Sequence, residues 1–268
     1  MDIEFHYYIT KYLALEAGFD KSEAEIIAYS SQYVDDNTHI FKIITPDKKE
    51  FENYISQTKD ITKPEKSLLR IYLLFHYLPG DPISSKTRRR DGKMHLLITT
   101  PAGNHAQEIF FDATKNENLY SLGIVSHMLS DTFTHQNFVG TFDEINSMKG
   151  VWEKLTPTIG HANAGYKPDI PNLIWHDPRL IEKYTTVENP ERIIFAANKL
   201  YKNFLFITSF PNNWSSIKKN LTEILSETIS ESQLSLVKKQ RLSRITKYKE
   251  LLAEYDSQND YDPYKWLK

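Results

Sequence analysis

The sequence predicts a mainly α fold, a multi-helix bundle with at most a short β hairpin or strand near 94–100. Three observations carry that expectation. Apolar residues recur mostly three or four apart, the spacing of one helix face. Capping residues and glycine or proline punctuation fall where those periodic runs begin and end. The chain has 268 residues, 40 % of them hydrophobic, which suffices for a substantial core in one large domain or two small ones.

Residues 2–17 (DIEFHYYITKYLALEA) read as a first helix, closed by Gly18 as a C′ glycine. Asp20 opens the second as N-cap, and Glu23 completes a capping box ahead of AEIIAYSSQYV. A third helix, about 65–77 (EKSLLRIYLLFHY), is entered through Pro64 and stopped by Pro79-Gly80. Residues 81–93 (DPISSKTRRRDGK) are polar and basic and read as an exposed loop. MHLLITT (94–100) is the best strand candidate, although periodicity alone does not separate so short an apolar run from a helix segment. Residues 103–113 and 116–134 look helical. From 136 to 188 the chain is rich in Pro, Gly and Asn, and a loop region of that length is usually functional or mobile. After Pro190 come helices at about 191–209, 214–230 and 231–255. The last carries LVKKQRLSRITKYKELLAEY, whose charges read as a solvated face. No internal repeat or low-complexity tract interrupts the series.

Charge and composition narrow the function. Lys plus Arg number 33 against 35 Asp plus Glu, a net charge of −2, so there is no strong nucleic-acid signal, although a local basic patch stays open. Cysteine is absent, which excludes disulfides and thiolate zinc sites. MDIEFHYY lacks a basic region followed by an apolar run, and no window approaches 18 continuous apolar residues. The expectation is a soluble chain without a transmembrane segment, cytoplasmic or exported without a recognisable N-terminal signal. Oligomeric state is not legible.

The chemistry concentrates in SHMLSDTFTHQNF (126–138), which spaces His127, Asp131 and His135 by four. Residues four apart on a helix are neighbours, about 6 Å between Cβ atoms, so His127 and Asp131 reach one cation and His135 follows a turn later. Gly123, one turn before, lets another helix or a ligand approach the same face. Leu122, Val125 and Leu129 take a different stripe, so helix packing does not need the donors. An isolated His–Asp pair is commonly a structural hydrogen bond; the third donor shifts the balance toward metal. Imidazole with carboxylate suits zinc, with Mn²⁺, Fe or Ni as neighbours.

Other segments offer further ligands. His6 lies in the first helix among aromatics, and YVDDNTH (33–39) ends the second with Asp35, Asp36 and His39. Two acids at a helix C-terminus oppose the helix dipole, a conflict that a cation relieves. GHANAGYKPD (160–169) supplies His161 and Asp169. His76 reads as a core histidine or one supporting a ligand from behind; His95 and His105 are weaker candidates.

Together, the early His6, the acid closing the second helix, HMLSD with a following His and the later Gly-His resemble the zinc-dependent phospholipase C/P1 nuclease group. They also resemble a related uncharacterised bacterial family carrying FHYY, VDD and GHA stretches. The resemblance covers roughly residues 1–176, the expected metal-site core of a single all-helical domain, with 190–268 as C-terminal helices. It implies one to three zinc ions held by His6, Asp35 or Asp36, His127, Asp131, His135 and His161, with His39 a further candidate. Asp131 would bridge or ligate, and the spare acid of Asp35 and Asp36 would orient water. Two departures stand out. No tryptophan precedes residue 152, so the N-terminal Trp ligand of that group is missing, and Gly165 stands where the group has a carboxylate four residues after its last His. A one- or two-metal site is the resulting expectation.

The implied function is metal-dependent hydrolysis of a phosphoester, with a small phosphoester or phospholipid head group as substrate. Arg88, Arg89 and Arg90 are available to meet a phosphate, or are simply solvated. The alternative is a non-catalytic, metal-stabilised binding or interaction protein. A third reading, an HD-type phosphohydrolase, rests on His176-Asp177, but Pro178 argues against a helix through that pair.

Overall fold

One helix, Leu119–Thr134, is buried on nearly all sides from Leu122 onward, and the fold is assembled around it. In the computed structural model, which describes residues 1–60, 63, 65–87, 89–148 and 156–265, the helices are α1 (Thr10–Glu16), α2 (Lys21–Asp36), α3 (Glu65–Ile71), α4 (Asn104–Thr114), α5 (Leu119–Thr134), α6 (Asn189–Thr208), α7 (Trp214–Ile224) and α8 (Val237–Ala253). The fold is mainly α with short sheets, as the sequence predicts. α5 packs against α2, α4 and α6, which bury its apolar stripe and its Ser, Thr, His and Asp side chains alike.

Local signals explain the start of α2. Asp20 accepts from the Glu23 amide at 2.8 Å and Glu23 accepts from the Asp20 amide at 2.9 Å. α2 then crosses α5 at Gly123, where a Cβ would stand 2.4 Å from the Ile27 carbonyl oxygen and 2.5 Å from Ser30 Cβ. Of the two approaches glycine allows there, the structure uses the helix. Before α1, Glu4–Ile9 is wound as a π-helix, and a second π-wound turn, Tyr72–His76, continues α3. π-turns displace side chains from the regular α register and often occur at functional sites. Phe5, Leu13, Ile27, Leu129, Leu200 and Phe204 are among the buried residues of the main core.

The strands are not where the sequence suggests. β1 (Lys42–Ile44) and β2 (Glu50–Glu52) form an exposed antiparallel hairpin. β3 (Leu173–His176) pairs with β4 (Thr186–Glu188) antiparallel and with β5 (Ile229–Ser230) parallel. Within 94–100 only Thr99 makes a bridge, to Pro79. Met94 and Leu96 are 72 % and 81 % exposed while Ile98, Thr99 and Thr100 are buried in succession, so this run has neither a neighbouring strand nor the alternation of a half-buried one.

The loop-rich stretch after α5 is held by side chains. Buried Asn146 donates Nδ2 to the carbonyls of Val139, Thr141 and Thr158, all at 3.0 Å. The helix expected over 214–230 stops at Ile224, because Ser230 and Gln233 form a new capping box for the 3₁₀ turn Glu231–Leu236 that leads into α8. α8 is tied to the first segment by a fully buried pair: Arg244 donates to Glu4 at 2.7 and 2.8 Å. No helix among the described residues is long and apolar enough to cross a membrane.

Candidate metal centre

Five elements converge beside the C-terminal half of α5. α5 supplies His127 and Asp131, and His135 caps its end, its amide still bonded to the Asp131 carbonyl at 2.9 Å. The last turn of α2 brings Asp35, the two π-wound turns bring His6 and His76, and the 3₁₀ turns after Gly160 bring His161 and Asp169. Three groups have ligand atoms all within 4.8 Å of one another: His6, His127 and Asp131; Asp35, His76 and His127; His135, His161 and Asp169.

The separations suit a small cation. Asp131 lies 3.1 Å from His6 Nε2, 3.2 Å from His127 Nε2 and 3.1 Å from His76 Nδ1. Asp169 lies 3.0 Å from His135 Nε2 and 3.1 Å from His161 Nε2. Ligands at zinc's 2.0–2.1 Å, arranged tetrahedrally, stand about 3.3 Å apart. Asp35 is looser, 3.9 Å from each of His6, His76 and His127.

Hydrogen positions separate this arrangement from an ordinary polar core. His127 Nδ1 meets the Ser31 carbonyl at 2.8 Å, His76 Nε2 the Ser56 carbonyl at 2.9 Å, His135 Nδ1 the His76 carbonyl at 2.8 Å and His161 Nδ1 the Gly165 carbonyl at 2.8 Å. A carbonyl only accepts, so in each case that ring nitrogen carries the hydrogen. The other nitrogen of each neutral ring therefore turns a bare lone pair into the cluster. Such backbone anchoring is how metal-binding histidines are commonly fixed. His6 is fully buried, and neither of its ring nitrogens has a hydrogen-bond partner. Around His76 Nδ1, His127 Nε2 and Asp131 Oδ2, electron pairs facing one another without hydrogens between them repel, and a cation removes the repulsion.

Charge preferences agree with neutral, ligating rings for His6 and His135 and pull the other way for His76 and His161. Burial pushes His6 down to about 3, and burial also lowers His135, so both favour the neutral, ligating form. For His76 and His161 burial acts downward, but Asp131 and Asp169 respectively outweigh it and raise them. Burial would raise Asp131 and Asp169, yet the surrounding imidazoles and the Met1 ammonium hold both well below the usual carboxylate range. That ammonium lies 2.6 Å from Asp131 Oδ1 and 3.2 Å from Asp169 Oδ1. At this point of the cluster the carboxylates thus favour positive charge.

A cleft of about 340 Å³ opens onto the cluster, lined by Asp35, His76, His135, His161 and Asp169 together with Gln57, Lys59 and Tyr166. Asp35 and Asp169 retain 23 % and 18 % exposure, whereas His6, His127 and Asp131 retain at most 1 %. The cluster is thus sealed below and reachable from one side.

Of the residues expected from sequence, His6, Asp35, His127, Asp131, His135 and His161 come together. Asp36 does not: it is exposed and accepts from Gln32 Nε2 at 3.0 Å, because successive residues on a helix point 100° apart. Nor does His39, which is exposed three residues beyond α2 and bonded to Thr38. Arg89 is buried on Asp91 and the Ile145 carbonyl, Arg90 is exposed, and Arg88 lies outside the described residues. His95 and His105 sit beside Asp143 and Glu108, away from the cluster. Asp177 is paired with Arg179 at 2.7 Å, while His176 is exposed on β3, so the two do not share a site. His76 is the ligand-grade residue that sequence reasoning undervalued. A signal was present: Phe-His-Tyr occurs at 5–7 and again at 75–77, at the two π-wound turns.

No curated protein and no solved structure matches the chain. A family model does match, over residues 1–268. The chain, with this histidine–aspartate cluster at its centre, belongs to DUF6765, a family of unknown function.

Proposed function

We propose that the chain is a metal-dependent hydrolase of phosphoester bonds, with zinc as the first candidate metal. The observation that carries the reading is the set of backbone-anchored imidazoles whose free nitrogens converge with Asp131 and Asp169 at the floor of an open cleft. A structural zinc site closes its shell with protein ligands, whereas a catalytic one keeps a position for water. The partial exposure of Asp35 and Asp169 supports the second case.

Lone-pair counting gives the stoichiometry. His127 Nδ1 is committed to Ser31, leaving one nitrogen for metal, so the two groups that share His127 compete for it. Two ions are therefore the proposed complement: one on His127 and Asp131 with His6 or His76, one on His135, His161 and Asp169. Zinc held by these residues would supply water acidified to a pKa of about 7 and would polarise a phosphoryl oxygen. Asp35, at the mouth of the cleft, accepts the proton of the attacking water. Lys59, on the rim, neutralises charge on the phosphate. The resemblance to the phospholipase C/P1 nuclease group supports the phosphoester as substrate.

The experiment is metal analysis of protein purified without added metal, followed by hydrolysis assays on p-nitrophenyl phosphate and bis-p-nitrophenyl phosphate. The reading expects bound metal and activity that EDTA removes and Zn²⁺ or Mn²⁺ restores. A chain with no bound metal and no activity after either addition contradicts it. Stoichiometric metal with no water-accessible position would favour a metal-stabilised binding protein instead.

A further inference from the structure

A groove of about 580 Å³, larger than the metal cleft, lies between α6 and the segment that follows α5. Arg192, Phe195, Lys199 and Lys202 recur three or four residues apart on α6, so they form one face along its length. That face lines the groove, opposite Gln136 and Asn137. Among the described residues, none of the three cations has a carboxylate within ion-pair distance. Arg192 has only the Thr134 carbonyl, which it meets through Nη1 at 3.0 Å. Burial lowers its guanidinium to about 10 against the opposing pull of Asp177 and Glu191, and burial together with Lys202 lowers Lys199.

A second observation is independent of the charges. Asn137 and Asn198 both line the groove, and each leaves a buried Oδ1 without a hydrogen-bond partner. Asn137 is 3 % exposed and fixed at φ 74°, its backbone amide bonded to the Thr99 carbonyl at 3.0 Å. An unmet buried acceptor is costly, and turning either amide toward the groove would let a ligand hydroxyl or amine satisfy it.

We propose that this groove binds a small phosphorylated group that also carries hydroxyl or amine donors. Clustered Arg and Lys donors form their strongest contacts with a multiply charged phosphate. The orphaned acceptors, with the Glu188 and Glu191 carboxylates beside Arg192 at the start of α6, take the ligand's donors, while Lys199 and Lys202 lie two to three turns further on. The groove's volume suits a small molecule. Both a soluble phosphate ester and a phospholipid head group present this chemistry. The site does not depend on the metal reading, since none of its side chains belongs to the cluster.

The test titrates the full-length protein calorimetrically with glycerol 3-phosphate, and in parallel sediments it with phosphatidylcholine vesicles with and without phosphatidic acid. Wild type is compared with Lys199→Ala/Lys202→Ala, with Arg192→Gln and with His161→Ala, the last reporting on phosphate held at the metal cluster. Lys199 is half-buried and Lys202 exposed, so the double variant should keep the wild-type melting temperature. The proposal expects saturable binding in one arm or both. It expects the double variant to weaken that binding about tenfold or more, as removal of charge-assisted contacts does, with His161→Ala close to wild type. Binding only to soluble ester, or only to phosphatidic acid vesicles, assigns the source. Absence of saturable binding in both arms overturns the proposal. So does binding lost in His161→Ala but kept in the lysine variant.

Discussion

His76 Nδ1 and His127 Nε2 face each other at 3.3 Å, and in the neutral rings neither has a hydrogen to offer the other. Each ring's N–H is already spent on a backbone carbonyl, Ser56 for His76 and Ser31 for His127. Asp131 Oδ2 stands 3.1 Å from one nitrogen and 3.2 Å from the other, so three electron-rich atoms surround one point. A shared cation gives this triangle a physical reason.

Metal should therefore contribute to folding. Ligand that binds only the native state at about a hundred times its Kd adds about 2.7 kcal/mol. The wild-type melting temperature is expected to fall with EDTA and recover with Zn²⁺, while His127→Ala and Asp131→Asn lose most of that response. If the pair were an ordinary buried hydrogen bond, each variant would cost about 1–3 kcal/mol regardless of chelator. Differential scanning fluorimetry of the three proteins, with and without EDTA, separates the cases.

Asp35→Asn keeps the side-chain shape but removes the base. General-base assistance is worth about 10²–10⁴ in rate, so kcat on a phosphodiester should drop by that order while metal content stays near wild type. A variant with unchanged kcat would remove Asp35 from that role.

Gly123→Ala tests how the cluster's two main walls are held. Its Cβ would stand 2.4 Å from the Ile27 carbonyl oxygen on α2, so α2 and α5 must separate. Overpacking of this kind costs about 1–3 kcal/mol, and it also shifts Asp35 and Ser31 relative to His127. Loss of stability in urea unfolding is expected together with weaker metal retention. Unchanged metal affinity would mean the helix spacing does not matter to the site.

Lys11, fully buried, pairs with Glu25 at 2.8 Å, and Lys265 reaches the same carboxylate at 2.9 Å. Burial acts to raise Glu25, but the two ammonium groups outweigh it and hold the carboxyl below its ordinary value of 4.5. A depressed carboxyl contributes stability that is present above its unfolded pKa and lost as pH falls through the folded value. Wild type should thus lose stability below about pH 4.5 more steeply than Glu25→Gln. At neutral pH, Glu25→Gln should cost about 3–5 kcal/mol, because it strands the Lys11 charge. Parallel acid-side slopes in urea titrations of the two proteins would contradict this.

Much of the site was legible because α-helical spacing is local. His127, Asp131 and His135 announce themselves by number alone, and Asp20 with Glu23 fixes where α2 begins and hence where Asp35 ends up. His76 was harder to read because its turn is π-wound, which moves it off the register that periodicity assumes. Asp36 and His39 show the opposite error: adjacency in sequence puts residues near a site without turning them into it. β1 and β2 were missed because they have no buried face, and β3, β4 and β5 because four, three and two residues are too short for their alternation to stand out. The groove cations on α6 could not be told from a solvated face, since the missing counter-ions are a property of the tertiary structure.

The most direct test of the central claim is an anomalous difference map, collected on both sides of the zinc absorption edge, from crystals of the protein equilibrated with Zn²⁺. The account predicts peaks within bonding distance of His127 and Asp131, and of His135, His161 and Asp169, each with a ring nitrogen anchored to backbone as described. A map with no peak among these residues would leave SHMLSDTFTHQNF as polar packing and contradict the account.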